Sequence, residues 1–347
     1  MKLVHQVVAS VTPGDAVTDQ AFAWRAALRT WGHKSEIVAE HVDEGLAAHV
    51  QQLDGARDRL LDAHVLIVHY SVWSRAVEDA LDAPGAVVLC YHNVTPAELL
   101  RDYSPRLARL CELARAALPS LRDRCAAVVA FSRFSAGELR DLGLDATVVP
   151  LLLNLPTEPI TVTPPAEPVV LFVGRIAPNK RLEDAIRAFA LYQERHASGA
   201  SFTIVGSPVE FERYQAELRR LADSLGARVR FTGRVSREER DGLYRRASVY
   251  LSTSIHEGFC APLLEAIAHG VPVVARAEAA VPETLGDAGL LVDDGDPERI
   301  AETLHEAISQ EPTRQALRSA GVRRLTELDP VRAARRLRAT LEPVLTA

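Results

Sequence analysis

Two glutamates, Glu257 and Glu265, bracket a loop of small residues, Gly258-Phe259-Cys260-Ala261, that leads into a helix start at Pro262. Amides at a helix start have no intrahelical partner and carry the positive end of the helix dipole, so they suit a phosphate. A carboxylate does not bind phosphate, but it accepts hydrogen bonds from vicinal hydroxyls. A diphosphate on the helix end, sugar hydroxyls at one acid and ribose hydroxyls at the other would satisfy every group. The plainer alternative is that both acids merely favour the N-terminus of the helix.

A second stretch, Val169-Val-Leu-Phe-Val-Gly174-Arg175-Ile-Ala-Pro-Asn-Lys180-Arg181, ends an apolar run in a glycine and then crowds cations at a helix start. Each such cation opposes the macrodipole by roughly 0.3–1 kcal/mol, which an anion held there would outweigh. Lys180 stands out because the chain has only three lysines, Lys2, Lys34 and Lys180. Arginine is scattered widely, so solvated surface arginines remain the alternative for Arg175 and Arg181.

Signals in the first half are thinner. Gly14-Asp15 follows the first apolar run, where a glycine either lets a ligand approach the backbone or simply makes a turn, with Thr18 as the expected helix cap. Val87-Val-Leu-Cys-Tyr-His92-Asn93 puts an imidazole at the carboxyl end of a strand, the edge where sites of such sheets form. A satisfied structural histidine is the alternative. Asp294-Gly-Asp296 has the letters of a metal signature, yet Asp296-Pro297-Glu298 reads as a helix cap, so no metal site is expected. Six arginines between Arg101 and Arg124 face three acids, which suits an anionic acceptor, a lipid surface or plain solvent.

These residues need a scaffold of strands and helices, and the pattern supplies one. Strands are expected at 3–9, 37–39, 65–68, 87–91, 128–131 and 147–149, then at 169–173, 202–205, 229–232, 249–253, 271–275 and 290–292. Helices lie between them, including 181–196 and 262–269. Alternation of apolar strands with helices means parallel sheets covered on both faces. Five prolines from Pro156 to Pro168 mark a linker. The expected organisation is α/β: a Rossmann-like domain over 1–154, a linker over 155–168, a second Rossmann-like domain over 169–329 and a crossover helix over 330–347. The two doubly wound domains are expected to face each other across a cleft. In the last helix Ala334, Leu337, Leu341 and Val344 form the packing stripe, and Arg332, Arg335, Arg336 and Arg338 the other face.

Composition narrows the function. The chain has 347 residues, 48% of them apolar, and a net charge of −6, which argues against nucleic acid. No Gly-x-Gly-x-x-Gly or Walker glycine loop follows an opening strand, which excludes dehydrogenase and P-loop readings. The four cysteines, at 90, 111, 125 and 260, have no zinc or redox spacing and suit a reducing compartment. With no signal peptide or apolar run of membrane length, a cytoplasmic protein is expected, peripheral membrane contact staying open.

Gly174-Arg-Ile-x-x-x-Lys180, Phe231-Thr-Gly-Arg-Val-Ser236 and Glu257-Gly-Phe…Leu-Leu-Glu265 together resemble the family 4 retaining glycosyltransferases, over about 169–310. The resemblance implies the GT-B architecture of two Rossmann-like domains. It also implies sugar transfer from a nucleoside diphosphate sugar, UDP- or GDP-linked, to a hydroxyl acceptor: a polysaccharide, a lipid-linked glycan or a small metabolite. No metal and no further cofactor is implied. By position, Arg175 and Lys180 would hold the diphosphate beside Gly174, joined by the backbone of Gly258 and Phe259. Glu265 would take the ribose and Glu257 the donor sugar, Arg234 and Val235 would border the base, and Gly14 would lie in the glycine loop of the first domain. His92 would lie against the sugar near its anomeric carbon. Cys260 stands where the family commonly has glycine, and Thr253 where it often has proline. A phosphorylase, a sugar-nucleotide epimerase and a non-catalytic sugar-nucleotide binder remain the rival readings.

Overall fold

β-Branched apolar runs fold into strands here because burial on both faces suits them. The structure, a computed structural model, describes residues 1–156 and 165–347; most of the proline-rich linker therefore lies outside the described residues. The first sheet contains β1 (Val4–Val11), β2 (Ile37–Val42), β3 (Gln51–Gln52), β4 (Val65–Tyr70), β5 (Ala86–Tyr91), β6 (Cys125–Ala130) and β7 (Thr147–Val148). Its order is β3-β2-β1-β4-β5-β6-β7, and every pair is parallel. The second contains β8 (Val169–Val173), β9 (Ser201–Val205), β10 (Val229–Gly233), β11 (Val249–Ser252), β12 (Val273–Arg276) and β13 (Leu290–Val292). Its order is β10-β9-β8-β11-β12-β13, again parallel throughout. All six residues of β4 are buried, as a central strand covered on both sides requires.

The chain divides into two units. One comprises Met1–Ala97, Arg106–Asn154 and Pro330–Ala347; the other comprises Glu98–Pro105 and Leu155–Asp329. Residues 98–105, inside the expected span of the first domain, thus group with the second unit. The terminal helix Pro330–Thr346 belongs to the first unit and packs on β6. Its buried stripe uses Ala333, not Ala334, with Leu337, Leu341, Val344 and Leu345, so this apolar face is covered by the protein itself. No helix among the described residues is long and apolar enough to cross a membrane.

Helix starts follow the capping rules, with two adjustments. Asp15, not Thr18, caps the helix Ala16–Thr30: its carboxylate accepts from the Thr18 amide at 3.0 Å, and Thr18 lies inside the first turn. Asp296 caps Pro297–Ser309 by accepting from the Glu298 amide at 3.1 Å, a bond worth about 1 kcal/mol. The helix expected from Pro262 begins one residue earlier, at Ala261, with Cys260 as its cap, so Glu265 stands beyond the first turn and is no dipole partner. The basic stretch 101–124 is partly consumed by structure. Arg124 donates to the carbonyls of Leu81, Ala83 and Gly85, and Arg115 to the Val94 carbonyl and to Glu138.

Candidate functional site

Connections leave a doubly wound sheet in opposite directions at its switch point, which opens a crevice beyond the strand carboxyl ends. In the second sheet that point lies between β8 and β11, and the two loops singled out in sequence are the ones that follow these strands. They are stitched together. The Asn179 carbonyl accepts from the Ile255 amide at 3.0 Å, and its side-chain nitrogen donates to the His256 carbonyl at 3.2 Å. The Thr253 hydroxyl reaches the carbonyls of Lys180 and Arg181 at 3.0 and 2.9 Å. A proline at 253, frequent in the resembled family, has no hydroxyl for this tie. The two segments therefore converge, with Gly174, Arg175, Lys180, Glu257, Gly258, Phe259 and Cys260 on them.

The charges at this point are paired with one another. Lys180 Nζ lies 2.7 Å from Glu257 Oε1, the two side chains only 17% and 12% exposed. Glu257 also receives the Cys260 thiol, whose ionisation is pushed well up by burial and then by that carboxylate. Arg181 differs from expectation: its guanidinium turns back onto Glu183 and Asp184 at 2.8 and 2.9 Å, leaving Lys180 and Arg175 as the cations of interest. Its φ of 51° carries the chain from the short turn Pro178–Lys180 into the helix Leu182–Arg195. Arg175 stacks its guanidinium 5.4 Å over the Phe211 ring. Cys260, at φ 70°, adopts the left-handed conformation that glycine takes without cost, which is a physical reason for glycine at this position in related sequences.

Glu265 sits on the inner face of Ala261–Ala268, accepting from the Tyr244 hydroxyl at 2.9 Å with Arg240 at 3.4 Å. Neither partner was apparent in the sequence. Gly206 was also missed, although β8, β9 and β10 each run into a glycine at the carboxyl edge. The Gly174 amide donates to Val205 and the Gly206 amide to Gly233, both at 3.0 Å. A side chain at Gly206 would put its Cβ 1.8 Å from the Gly174 carbonyl oxygen, so the close approach demands glycine. Arg234 and Val235 follow directly, on the stretch from β10 into the helix Arg237–Tyr244, Arg234 exposed and Val235 half-buried.

The remaining candidates lie in the first unit. Gly14 has φ 77° and open space where a Cβ would point, so the turn alone accounts for glycine there. His92 follows β5 and is not isolated: its Nε2 lies 2.8 Å from His69 Nδ1 and 3.6 Å from the Cys90 sulfur. Its ring also lies 4.6 Å from that of Phe131. His69, Cys90 and His92 form the one potential metal-ligand group among the described residues. The nitrogen–nitrogen distance of 2.8 Å is that of a hydrogen bond, whereas two imidazoles on one tetrahedral zinc ion stand about 3.3 Å apart given zinc–nitrogen bonds of about 2.0–2.1 Å. The group as it stands is hydrogen-bonded.

Comparison with known proteins bears on the family and the fold. Residues 157–324 match the family model of glycosyl transferases group 1. D-inositol 3-phosphate glycosyltransferase of Mycolicibacterium smegmatis is 36% identical over 162 residues, 45% of this chain and 36% of that protein. O-antigen chain mannosyltransferase B of Escherichia coli is 26% identical over 155 residues, 44% and 40% of the two chains. The chain thus spans between a third and a half of these curated relatives. Among solved structures, Anabaena HepE in complex with UDP-glucose superposes with a TM-score of 0.79 at 17% identity, covering 99% of this chain and 100% of that one. Sucrose-phosphate synthase from Thermosynechococcus elongatus gives 0.76 at 17% identity, with both chains covered fully. The fold is the GT-B type, and residues 157–324, just under half of the chain, carry the match to glycosyl transferases group 1.

Proposed function

We propose that the protein is a glycosyltransferase that moves a sugar from a nucleoside diphosphate sugar to a hydroxyl acceptor, with retention at the anomeric carbon and without a divalent metal. One observation carries this reading: a lysine, a glutamate and a helix N-terminus meet at the switch point of the second sheet, through the 2.7 Å contact of Lys180 with Glu257. A diphosphate would take the Lys180 ammonium, Arg175 and the start of Ala261–Ala268, and thereby free Glu257 for the hydroxyls of the sugar. Glu265 is proposed for the ribose, Arg234 and Val235 for the border of the base, and Gly14 and His92 for the first unit's share of the donor. Relatives named as a D-inositol 3-phosphate glycosyltransferase and a mannosyltransferase, and a neighbour bound to UDP-glucose, support a sugar-nucleotide donor.

Chemically, the departing diphosphate gathers negative charge, and fixed cations and helix amides stabilise it without reorganising. These groups supply the positive field that a divalent ion supplies elsewhere. Removing one of them should slow turnover by roughly 10²–10³, about 3–4 kcal/mol. The test is a thermal-shift panel of uridine, guanosine, adenosine and thymidine diphosphates and their sugars in a chelator, followed by proton NMR of the product formed from any stabilising donor. Binding at about 100 times the dissociation constant adds about 2.7 kcal/mol. An inverted anomeric configuration in the product, or a requirement for added divalent metal, would overturn the respective part of the reading. Sugar release driven by inorganic phosphate, with no nucleotide donor accepted, would replace it with a phosphorylase.

A further inference from the structure

Three side chains carried by adjacent strands, two on the strands and one just past an end, form a continuous line inside the first unit: Gln6 on β1, His69 on β4 and His92 directly after β5. Gln6 Nε2 lies 2.9 Å from the Ala21 carbonyl, Gln6 Oε1 lies 2.8 Å from His69 Nε2, and His69 Nδ1 lies 2.8 Å from His92 Nε2. Gln6 and His69 are fully buried. We propose that this line fixes His92 as the tautomer with hydrogen on Nε2, so that Nδ1 serves the reaction as a neutral hydrogen-bond acceptor for a hydroxyl of the sugar donor. Gln6 and His69 are then positioning residues for His92.

The assignment follows from donors and acceptors taken in order. A backbone carbonyl can only accept, so the Gln6 nitrogen faces Ala21 and the amide cannot be turned round. Its oxygen is left facing His69 Nε2, which must therefore carry the hydrogen. A neutral imidazole has one hydrogen, so His69 Nδ1 is a lone pair and the hydrogen between the two rings belongs to His92 Nε2. Neutrality of His69 is enforced by its surroundings: burial pushes the imidazole down to about 3, and the same cause holds His92 well below the ordinary histidine range. The Cys90 sulfur, 3.6 Å away, is a weak second acceptor for the same Nε2 hydrogen.

His92 is held by its backbone as well, its amide donating to the Tyr70 carbonyl at 2.9 Å. Among the described residues nothing bonds to its Nδ1, which leaves one lone pair on a ring whose other nitrogen is committed. Such a group accepts a hydrogen bond from a hydroxyl but is a poor base and carries no charge. It therefore suits a neutral, hydroxyl-bearing ligand over a phosphate. The role toward a sugar rests on the transferase reading proposed above; the tautomer does not.

Nitrogen-15 spectra of histidine-labelled full-length protein at neutral pH separate the two. The expected result is a protonated Nε2 and an unprotonated Nδ1 on both His69 and His92. His69→Gln, which keeps an acceptor, should preserve this state of His92, and His69→Phe, which has none, should give a mixture of tautomers. Kinetically, His69→Phe should lower kcat/KM for the sugar nucleotide by about tenfold, the worth of one hydrogen bond, with the Kd for the bare nucleoside diphosphate unchanged and His69→Gln close to native. A hydrogen on Nδ1 of His92 in the native protein overturns the inference by itself, even if His69→Phe does not fold. So does an equimolar zinc ion that shifts both rings and raises turnover, because the group would then be a metal site. Absence of turnover with every donor defeats the transferase reading and the sugar role while the tautomer result stands.

Discussion

Lys180 and Glu257 lie 77 positions apart in sequence, yet their charged atoms stand 2.7 Å apart, each mostly shielded from water. The cation suited to a phosphate and the carboxylate suited to hydroxyls thus neutralise each other. Breaking such a pair from one side leaves an uncompensated charge, which costs more than the pair is worth. The expectation is a double-mutant cycle, Lys180→Met with Glu257→Gln, that gives a stabilising coupling of about 1–3 kcal/mol by chemical denaturation. With a saturating nucleoside diphosphate the coupling should shrink toward zero, because phosphate replaces the carboxylate at the ammonium. A coupling of equal size with and without nucleotide would mean that the pair is purely structural.

The contact between the ends of β8 and β9 sets a second expectation. Gly206→Ala places a Cβ 1.8 Å from the Gly174 carbonyl oxygen, at φ 148°, and neither backbone can yield without breaking the bonds that align the strand ends. Overpacking and backbone strain together should destabilise the protein by about 3 kcal/mol or more, and displace Arg175 with it. Gly137, inside the helix Arg133–Asp141 with open space where a Cβ would point, is the control: Gly137→Ala should stabilise by about 0.5–1 kcal/mol. Melting curves of the two variants decide it, and similar shifts for both would contradict the packing argument.

The sheets were legible because parallel strands buried on both faces read as short apolar runs, and twelve such runs appear in both sequence and structure. The thirteenth strand, Gln51–Gln52, is an edge strand of two polar residues and carries no such signal. Residue types also single out Arg175, Lys180, Glu257 and Glu265, but do not show who pairs with whom. Arg181 looked like a third phosphate cation because nothing local shows that a left-handed φ turns it back onto Glu183 and Asp184. The line from Gln6 to His92 was invisible for another reason. Its members sit on β1, on β4 and just past the end of β5, 63 and 23 positions apart, and only the sheet order makes them neighbours.

The Glu265 surroundings separate a ribose-binding carboxylate from a structural one. Glu265→Gln keeps the shape and an acceptor oxygen but removes the charge that strengthens bonds from hydroxyls. If the ribose is its ligand, affinity for a nucleoside diphosphate should fall by about tenfold, roughly 1.4 kcal/mol, while affinity for the 2′,3′-dideoxy analogue stays nearly constant. Tyr244→Phe, which withdraws the 2.9 Å bond that orients the carboxylate, should reproduce the pattern at smaller amplitude. Calorimetric titration with both nucleotides measures this. Equal losses for the two would place Glu265 in the framework of its helix instead.

Acid sensitivity follows from the buried imidazoles. His69 titrates near 6.5 in the unfolded chain and about 3 in the folded one, with burial as the cause, and His92 and His5 are lowered for the same first reason. Below 6.5 the unfolded chain therefore binds protons that the native state refuses. Since stability rises with pH wherever the unfolded state holds more protons, it must fall as the solution is acidified from 6.5 toward 3. For His69 alone the slope is about 1.4 kcal/mol per pH unit through that window. Urea unfolding at about pH 7 and about pH 5.5 should show a lower midpoint at the acid value, and His69→Gln should flatten the difference by about one proton's share. The carboxylates of Glu239, Asp287 and Glu311, held below their usual range by hydrogen bonds from Ser236, Arg323 and Arg314, act in the same direction but only at lower pH. A midpoint that does not move between those two pH values would show that the ring between Gln6 and His92 accepts a proton in place, and with it the neutral state of His69 would be lost.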